Sequence, residues 1–143
     1  MATKFQRILV GVDDSADALL AFKYALHQAK RDDAALYIVS VLEKDQMNVY
    51  QALDDDFVHG ERQTLETHLQ DYRQQAEAAG ITQVHTLVAE GNPGETIIQD
   101  VIPHVQPDLL IIGSEAKQGV RRHFGSQAAY MAKYSPISVL VIR

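Results

Sequence analysis

The sequence predicts an α/β protein: an open, five-stranded parallel sheet with strand order 3-2-1-4-5 and helices on both faces. The first observation is that apolar segments of strand length alternate strictly with amphipathic segments of helical period along the chain. The second is that segments 8–12 and 109–112 are apolar throughout, which is typical of strands buried on both faces. The third is the length of 143 residues, 46% of them apolar, which suits a single domain spanning residues 1–143.

The first third of the chain predicts a strand, a helix and a strand. Residues 7–12 (RILVGV) form strand one, and Asp13, Asp14 and Ser15 end it and begin a helix, because short polar side chains accept hydrogen bonds from free helix amides. Helix one runs to about residue 31. Its inward positions repeat at helical spacing: Ala18, Ala21, Phe22, Ala25 and Ala29. Residues 35–42 (ALYIVSVL) form strand two, buried like strand one.

The middle of the chain is less regular. Residues 43–59 show no clear period, so we interpret them as a long loop with room for one short helix, and Asp54, Asp55 and Asp56 as solvated loop residues. Helix two follows and ends before Gly80, which suits a left-handed C-terminal position. Its apolar face is formed by Leu65, Leu69, Tyr72, Ala76 and Ala79. Residues 83–89 alternate apolar and polar, as a more exposed third strand does.

The last third repeats the alternation twice. After a turn at residues 91–94, Pro93 begins helix three, whose last turn we expect Pro103 to loosen. Its apolar face is Ile97, Ile98, Val101, Ile102 and Val105. Residues 108–114 form strand four. Helix four runs from 125 to about 133, with Ala128, Met131 and Ala132 inward, and residues 137–142 form strand five.

Composition excludes several classes of function. The chain has no cysteine, which rules out disulfides, thiolate zinc sites and cysteine nucleophiles. A net charge of −6 opposes non-specific nucleic-acid binding. No apolar run spans a bilayer, and the first residues do not resemble a signal peptide. We therefore expect a cytoplasmic protein with neither a membrane nor a nucleic acid as partner.

Two groups of residues could carry chemistry, and the predicted topology brings them together. Asp13 ends strand one, and the stretch from Gly113 to Ser126 joins strand four to helix four. Glycines, the free amides of a helix N-terminus and three cations, Lys117, Arg121 and Arg122, make this stretch a candidate phosphate cradle. In such sheets ligands bind where the strand order reverses, here between strands one and four. The alternative is a simple helix cap and an ordinary exposed loop.

Four motifs resemble the universal stress protein family: ILVGVDDS, GNPGETI, DLLIIGS and PISVLVIR. The resemblance covers essentially the whole chain and implies a Rossmann-like, adenine nucleotide alpha hydrolase-like fold. It further implies that the chain binds ATP, or AMP or ADP, with Mg²⁺ accompanying the phosphates. The positions that match the family's nucleotide contacts are Val12, Asp13, Val41, Ile112, Gly113, Ala116, Gly125, Ser126 and Gln127.

The chain departs from the family's glycine pattern in one place. Ala116 stands where the pattern has its second glycine, and eight residues instead of nine separate it from Gly125. A left-handed alanine costs about 1–2 kcal/mol, so we expect the departure to weaken phosphate binding. The chain thus lies between the members that bind ATP and those that lack the glycine pattern.

Other functions remain as alternatives. They are a pure interaction protein, a weak ATPase and a receiver domain. The receiver domain is disfavoured because strand three ends in Ala89-Glu90-Gly91, without the aspartate that becomes phosphorylated. The apolar strand 137–142 lies at a sheet edge, where pairing with a second copy would protect it, and the resemblance implies the same homodimer. We expect a binding or sensing module that communicates with an unidentified protein partner, and no dedicated enzyme.

Overall fold

The computed structural model describes residues 3–44, 47–114 and 125–143. Its sheet has five parallel strands in the order β3-β2-β1-β4-β5, as the sequence predicts. The strands are β1 (Arg7–Gly11), β2 (Ala35–Leu42), β3 (Val84–Glu90), β4 (Leu109–Gly113) and β5 (Ser138–Ile142). The order reverses between β1 and β4, so their carboxyl ends lie side by side at the edge where ligands bind in such sheets.

Helices cover both faces of the sheet. They are α1 (Ala16–Asp32), α2 (Val49–Leu53), α3 (Asp55–Ala78), α4 (Pro93–Thr96), α5 (Ile102–Val105) and α6 (Ser126–Tyr134), with a π-helical segment (Ile97–Val101) between α4 and α5. One core cluster lies under α1 and α3 and includes Phe22 and Ile111. The second lies under α4–α6 and includes Leu110 and Met131. Strands β1, β2 and β4 send side chains into both clusters, which explains their continuous apolar sequence.

Helix α1 begins as the sequence predicts. The Ser15 hydroxyl accepts a hydrogen bond from the Ala18 N–H at 3.1 Å and so caps the helix. At the other end Asp33 adopts the left-handed conformation, with φ of 55°. The five inward residues predicted for this helix are all buried.

The prediction of a loop over residues 43–59 is wrong for its second half. Helix α3 begins at Asp55, ten residues before the apolar face that was recognised, and α2 occupies the space for a short helix. The Asp54 carboxylate caps α3 by accepting from the N–H groups of Asp56 and Phe57. Asp55 and Asp56 therefore lie in the first turn of a helix, where the dipole favours anions, and not in a solvated loop.

The later helices differ from the sequence prediction in two details. The helix containing Pro103 is loosened, but the change lies just before the proline: the Ile102 N–H donates to the Ile97 carbonyl, a π-type bond. The wider turn accommodates a ring that carries no N–H and clashes with the preceding turn. The prediction that Ala132 faces inward is wrong, since it is exposed, whereas Ala128 and Met131 are buried as predicted.

Asp32 joins the start of the described chain to the end of α1, and its carboxylate should make stability depend on pH. The Oδ2 atom accepts from the Phe5 N–H at 3.0 Å and from the Gln28 amide at 2.8 Å. The first of these bonds is the largest cause that holds the pKa of Asp32 below its ordinary value of 3.8, against the opposing effect of burial. A lowered folded pKa contributes stability that is present above the unfolded value and is lost as pH falls through the folded one.

We therefore expect Asp32→Asn to lower the free energy of unfolding by about 1 kcal/mol at neutral pH. The difference from the wild type should shrink as pH falls below about 4, because the wild-type carboxyl is then protonated too. Urea unfolding at several pH values measures this, with Asp33→Asn at the exposed neighbouring position as control. A difference that stays constant down to about pH 2 would contradict the assignment.

Candidate functional site

The candidate site lies at the carboxyl ends of β1 and β4. Three hydrogen bonds join the elements around it. The Ser114 hydroxyl donates to Asp17 in the first turn of α1 at 3.1 Å, and the Gly125 N–H donates to the Ser114 carbonyl at 2.9 Å. The Ser114 N–H donates to the Ile142 carbonyl at 2.9 Å. The end of β4 is thus tied to the starts of α1 and α6 and to β5. We call this region the mouth.

Gly113 is a glycine for a reason that the sequence did not reveal. A Cβ atom at this position would lie 2.8 Å from the Ala18 nitrogen and 2.8 Å from the Asp17 carbonyl carbon. Both are backbone atoms, so they cannot turn aside as a flexible side chain can. The absence of a side chain at Gly113 lets the first turn of α1 pack against the end of β4, and this close approach forms one wall of the mouth.

The N-terminus of α6 has no side-chain cap among the described residues. Helices α1, α2, α3 and α4 are each capped by a side chain, those of Ser15, Asn48, Asp54 and Asn92. Helix α6 begins at Ser126 with Gly125 at the N-cap position, and no hydrogen bond to a side chain of the described residues caps it. Its first internal bond runs from the Ala129 N–H to the Gly125 carbonyl. The amides of residues 126–128 therefore lack helical acceptors and carry the positive end of the helix dipole.

Gln127 contributes to the mouth by joining two helices. Its Oε1 atom accepts a hydrogen bond from the Gly94 N–H at 2.7 Å. Gly94 lies in the first turn of α4, which begins at Pro93 after the predicted turn. The side chain of Gln127 thus fixes α6 against α4. The sequence indicated Gln127 only as a neighbour of the nucleotide, not as a contact between helices.

The opposite wall is built by the ends of β1 and β2. The Val12 N–H donates to the Val39 carbonyl at 2.9 Å, and the Ser40 hydroxyl donates to the Val12 carbonyl at 3.2 Å. The N–H and C=O groups of alternate strand residues point to the same side. Because the Val39 carbonyl points to β1, the peptide groups of Val41 also point to that side, beyond the last paired residue, Gly11. In this orientation the N–H and C=O groups of Val41 can form hydrogen bonds with the edge of a planar ring.

Asp13 is exposed beside this wall, and its carboxylate accepts from the Ser15 N–H at 3.0 Å. Its neighbour Asp14 has a φ of 64°, in the left-handed region that few residues other than glycine adopt. Asp14 contacts two side chains of α3: the Tyr72 hydroxyl donates to its Oδ1 at 3.0 Å, and His68 Nδ1 lies 2.8 Å from its Oδ2. The sequence predicts Tyr72 only as part of the apolar face of its helix, and it gives no signal for a contact of His68 with the β1–α1 turn.

The structure brings part of the predicted residue set together. Hydrogen bonds or strand pairing connect Ile112, Gly113, Gly125 and, through the first turn of α6, Ser126 and Gln127. Val12 is hydrogen-bonded to Val39 and Ser40 of β2 instead. Ala116 and the three cations of the predicted cradle, Lys117, Arg121 and Arg122, lie outside the described residues. Within the described ranges, no group of three acidic or histidine side chains is arranged to hold a metal ion. No helix in the same ranges is long and apolar enough to cross a membrane.

Comparison with known proteins finds one family over almost the whole chain. The sequence model of the universal stress protein family matches residues 4–143. A protein of Staphylococcus haemolyticus that carries the universal stress protein name is 32% identical over 140 residues, covering 97% of this chain and 85% of that protein. The solved structure of universal stress protein UspA from Lactobacillus plantarum superposes with a TM-score of 0.87 at 26% identity, covering 99% of this chain and all of that one.

Two further solved structures share the fold and contain adenine nucleotides. One is a universal stress protein in complex with cAMP, with a TM-score of 0.70, 24% identity and coverage of 99% of this chain and 98% of that chain. The other is the universal stress protein from Archaeoglobus fulgidus in complex with dAMP, with a TM-score of 0.67, 20% identity and coverage of 96% and 98%.

Proposed function

The chain belongs to the universal stress protein family, and we propose that it is an adenine-nucleotide-binding module that acts in signalling as a homodimer, without a dedicated enzymatic activity. The observation that carries the proposal is the start of α6, which no side chain of the described residues caps and whose N-cap residue, Gly125, is hydrogen-bonded to Ser114 at the end of β4. Such a helix start binds phosphate groups, because free N–H donors and the helix dipole act together. The cAMP and dAMP complexes of proteins with the same fold support an adenine nucleotide as ligand.

In this proposal the two walls of the mouth hold the two ends of the nucleotide. Asp13 and the peptide groups of Val12 and Val41 contact the adenosine, and the stretch from Gly113 through Ala116 to Gln127 contacts the phosphates. ATP, AMP and ADP share the adenosine end and differ in how many phosphates reach α6. Mg²⁺ accompanies the phosphates, with phosphate oxygens and water as its main ligands, since hard oxygen ligands suit it.

The output of binding is conformational in this proposal. The described parts of segment 43–59 include α2, on which Val49, Tyr50 and Leu53 are 71%, 86% and 77% exposed. We propose that nucleotide occupancy is communicated to a protein partner in the cytoplasm through this segment. Large apolar side chains that remain exposed together are typical of protein contact sites, which supports this assignment.

The homodimer rests on the edge strand within segment 137–142. The Ile142 carbonyl accepts from Ser114 on the β4 side. In a strand the N–H and C=O groups of alternate residues point to the same side. The peptide groups of Ser138, Leu140 and Ile142 therefore point to β4, and those of Val139 and Val141 point outward. An edge that presents free peptide groups and apolar side chains is a template for another strand, and pairing with its own copy across a two-fold axis satisfies it.

Ligand identity can be read from the protein as purified. Heat-denatured protein should release AMP, ADP or ATP into the supernatant, identified by mass spectrometry. If preparation removes the ligand, titration with labelled ATP, with and without Mg²⁺, should give saturable binding that competes with AMP. Absence of both signals would overturn the proposal. Hydrolysis of ATP well above background would favour the weak ATPase that the sequence left open.

The role of the α6 amides has a specific test in Ser126→Pro. Ser126 is the first residue of α6, where proline is well tolerated, and Gly125 before it has the extended conformation, φ −66° and ψ 152°, that proline requires of its predecessor. The change therefore deletes one N–H donor and leaves the helix intact. We expect nucleotide affinity to fall roughly ten- to hundredfold, the equivalent of one hydrogen bond to a charged group.

The matched control is Ser126→Ala, which removes the hydroxyl and keeps the N–H. It should weaken binding less than Ser126→Pro does, with both variants unfolding at the wild-type urea concentration. Equal affinity of Ser126→Pro and the wild type would remove the start of α6 from the binding site.

A further inference from the structure

Asp14 is held from two directions by side chains of α3, and we name Asp14, His68 and Tyr72 the Asp14 clamp. The Tyr72 hydroxyl donates to Oδ1 at 3.0 Å, and His68 Nδ1 lies 2.8 Å from Oδ2, so each carboxylate oxygen has its own partner. His68 and Tyr72 are four residues apart and therefore lie on the same face of the helix. The clamp joins the turn between β1 and α1 to a helix more than fifty residues away in sequence.

The Tyr72 half of the clamp is rigid. Its ring is 5% exposed and packs edge-on against the buried ring of Phe22, with centroids 4.7 Å apart. Burial, followed by the hydrogen bond to Asp14, raises the pKa of Tyr72 well above its usual value. The hydroxyl therefore remains a proton donor at every physiological pH. Because the ring is held in the core, its hydroxyl fixes the position of Asp14 Oδ1.

The other half of the clamp fixes the chemical form of His68. Its Nδ1 atom faces a carboxylate, so this nitrogen must carry a proton. In the neutral imidazole that arrangement selects the Nδ1–H tautomer. The approach of Nδ1 to Oδ2, an ion pair when the ring is protonated, then provides the second contact that holds the Asp14 carboxylate.

The clamp acts on the middle of the turn, which the bond from the Ser15 N–H to the Asp13 carboxylate spans without contacting the Asp14 side chain. Before it, the Val12 N–H is bonded to β2, and after it Ser15 caps α1. Between these anchors Asp14 adopts a left-handed conformation that costs about 1 kcal/mol for a residue with a side chain. The Tyr72 hydrogen bond and the His68 contact from α3 offset this cost. They thereby set the direction in which the preceding residue, Asp13, leaves the sheet.

We propose that His68 and Tyr72 are positioning residues for the nucleotide: through Asp14 they fix the β1–α1 turn in the conformation that presents Asp13 to the mouth. The inference rests on the proposed function for its ligand, and neither α3 residue contacts the nucleotide itself. Asp14 is thereby assigned to structure and Asp13 to binding, a division that the adjacent pair of aspartates does not reveal from sequence.

The affinity test uses small changes. Tyr72→Phe removes one oxygen atom and keeps the contact with Phe22, and His68→Leu removes the donor from Asp14. Each should weaken AMP and ATP binding roughly three- to tenfold, because the turn is displaced while no group that contacts the nucleotide is removed, and the urea midpoint should change little. His68→Asn, which keeps an N–H donor near the place of Nδ1, should restore most of the affinity. His59→Leu, at an exposed position on the same helix, is the control.

A second measurement needs no ligand. Nitrogen-15 NMR of the imidazole should show the Nδ1–H tautomer for His68 in the wild type, and a shift towards the ordinary Nε2–H form in Asp14→Ala. The amide signals of residues 13–15 should move in Tyr72→Phe and stay in place in His59→Leu. An Nε2–H tautomer in the wild type, or unmoved turn signals in Tyr72→Phe, would overturn the inference.

The two measurements separate the clamp from the proposed function. A wild-type protein that binds no adenine nucleotide but shows the Nδ1–H tautomer and the moved turn signals overturns the proposed function alone. A wild-type protein that binds, with Tyr72→Phe and His68→Leu binding equally tightly, overturns the positioning role alone.

Discussion

Replacement of Gly113 by alanine is expected to lower the free energy of unfolding by about 3 kcal/mol, at the upper end for an overpacked site. The added Cβ would lie 2.8 Å from two backbone atoms of the first turn of α1 and 3.0 Å from the Asp17 Cβ. Relief of these contacts requires α1 to move away from β4, which breaks the bond between Ser114 and Asp17 and loosens the core under α1. Urea unfolding measures the loss.

Gly60→Ala is the matched control and should have the opposite sign. Gly60 lies inside α3, and nothing lies within 4 Å of the Cβ that alanine would add. Alanine is favoured over glycine in a helix by about 0.5–1 kcal/mol, so this change should stabilise the protein. If both glycine variants shift stability in the same direction, the close approach of α1 to β4 is not the reason for glycine at position 113.

This result bears on how the nucleotide site is tested. A large side chain at Gly113 would weaken binding by displacing α1, whether or not Gly113 contacts the ligand. Loss of affinity in such a variant therefore cannot identify a binding residue. Ser126→Pro avoids the problem, because proline fits the first position of α6 without a change of the helix.

The strand order could be predicted from sequence because it follows from local patterns. Segments that are apolar almost throughout mark the strands β1, β2 and β4, and helical periodicity marks the segments between them. Strict alternation then leaves few topologies, since crossovers are right-handed. The close packing around Gly113 could not be predicted, because it depends on how two elements approach each other in space.

The start of α3 could not be predicted from hydrophobic periodicity, because the first turns of this helix carry no apolar stripe. The first turns of α3 bury little surface, so no apolar stripe marks them: the buried residues of this helix are Leu69, Tyr72 and Ala76. A different signal was present in the sequence. Asp54 followed by two further acids is a typical helix N-terminus, in which the first residue caps and the next two favour the dipole. Composition alone led to the interpretation of a solvated loop.

The Asp14 clamp could not be predicted from the sequence for a related reason. His68 and Tyr72 share a helix face, which the spacing of four shows, but their partner is 54 and 58 residues earlier in the chain. Only the fold places α3 beside the β1–α1 turn. The adjacent aspartates are chemically identical in the sequence, and the left-handed backbone at Asp14 is what separates their roles.

Val139→Pro is expected to convert the proposed homodimer into a folded monomer. The N–H of Val139 faces outward from β5, so proline at this position removes a bond to the second copy and none to β4. Two-fold symmetry applies the loss to both chains and adds a steric clash at the centre of the new strand pair. We expect the dimer dissociation constant to rise at least about a hundredfold, measured by sedimentation at micromolar concentration.

Two controls on the same strand separate dissociation from unfolding. Leu140→Pro removes an N–H that faces β4, so it should destabilise the sheet itself in urea, whereas Val139→Pro should not. Val139→Ala keeps the N–H, shortens a half-buried side chain and should leave the protein dimeric. One edge of β5 pairs with β4, and the other would pair with the second copy. The dimer is therefore assigned to β5 only if Val139→Pro loses the dimer without losing stability, Leu140→Pro loses stability, and Val139→Ala remains dimeric. A wild-type monomer, or a Val139→Pro dimer of undiminished affinity, would place any self-association elsewhere.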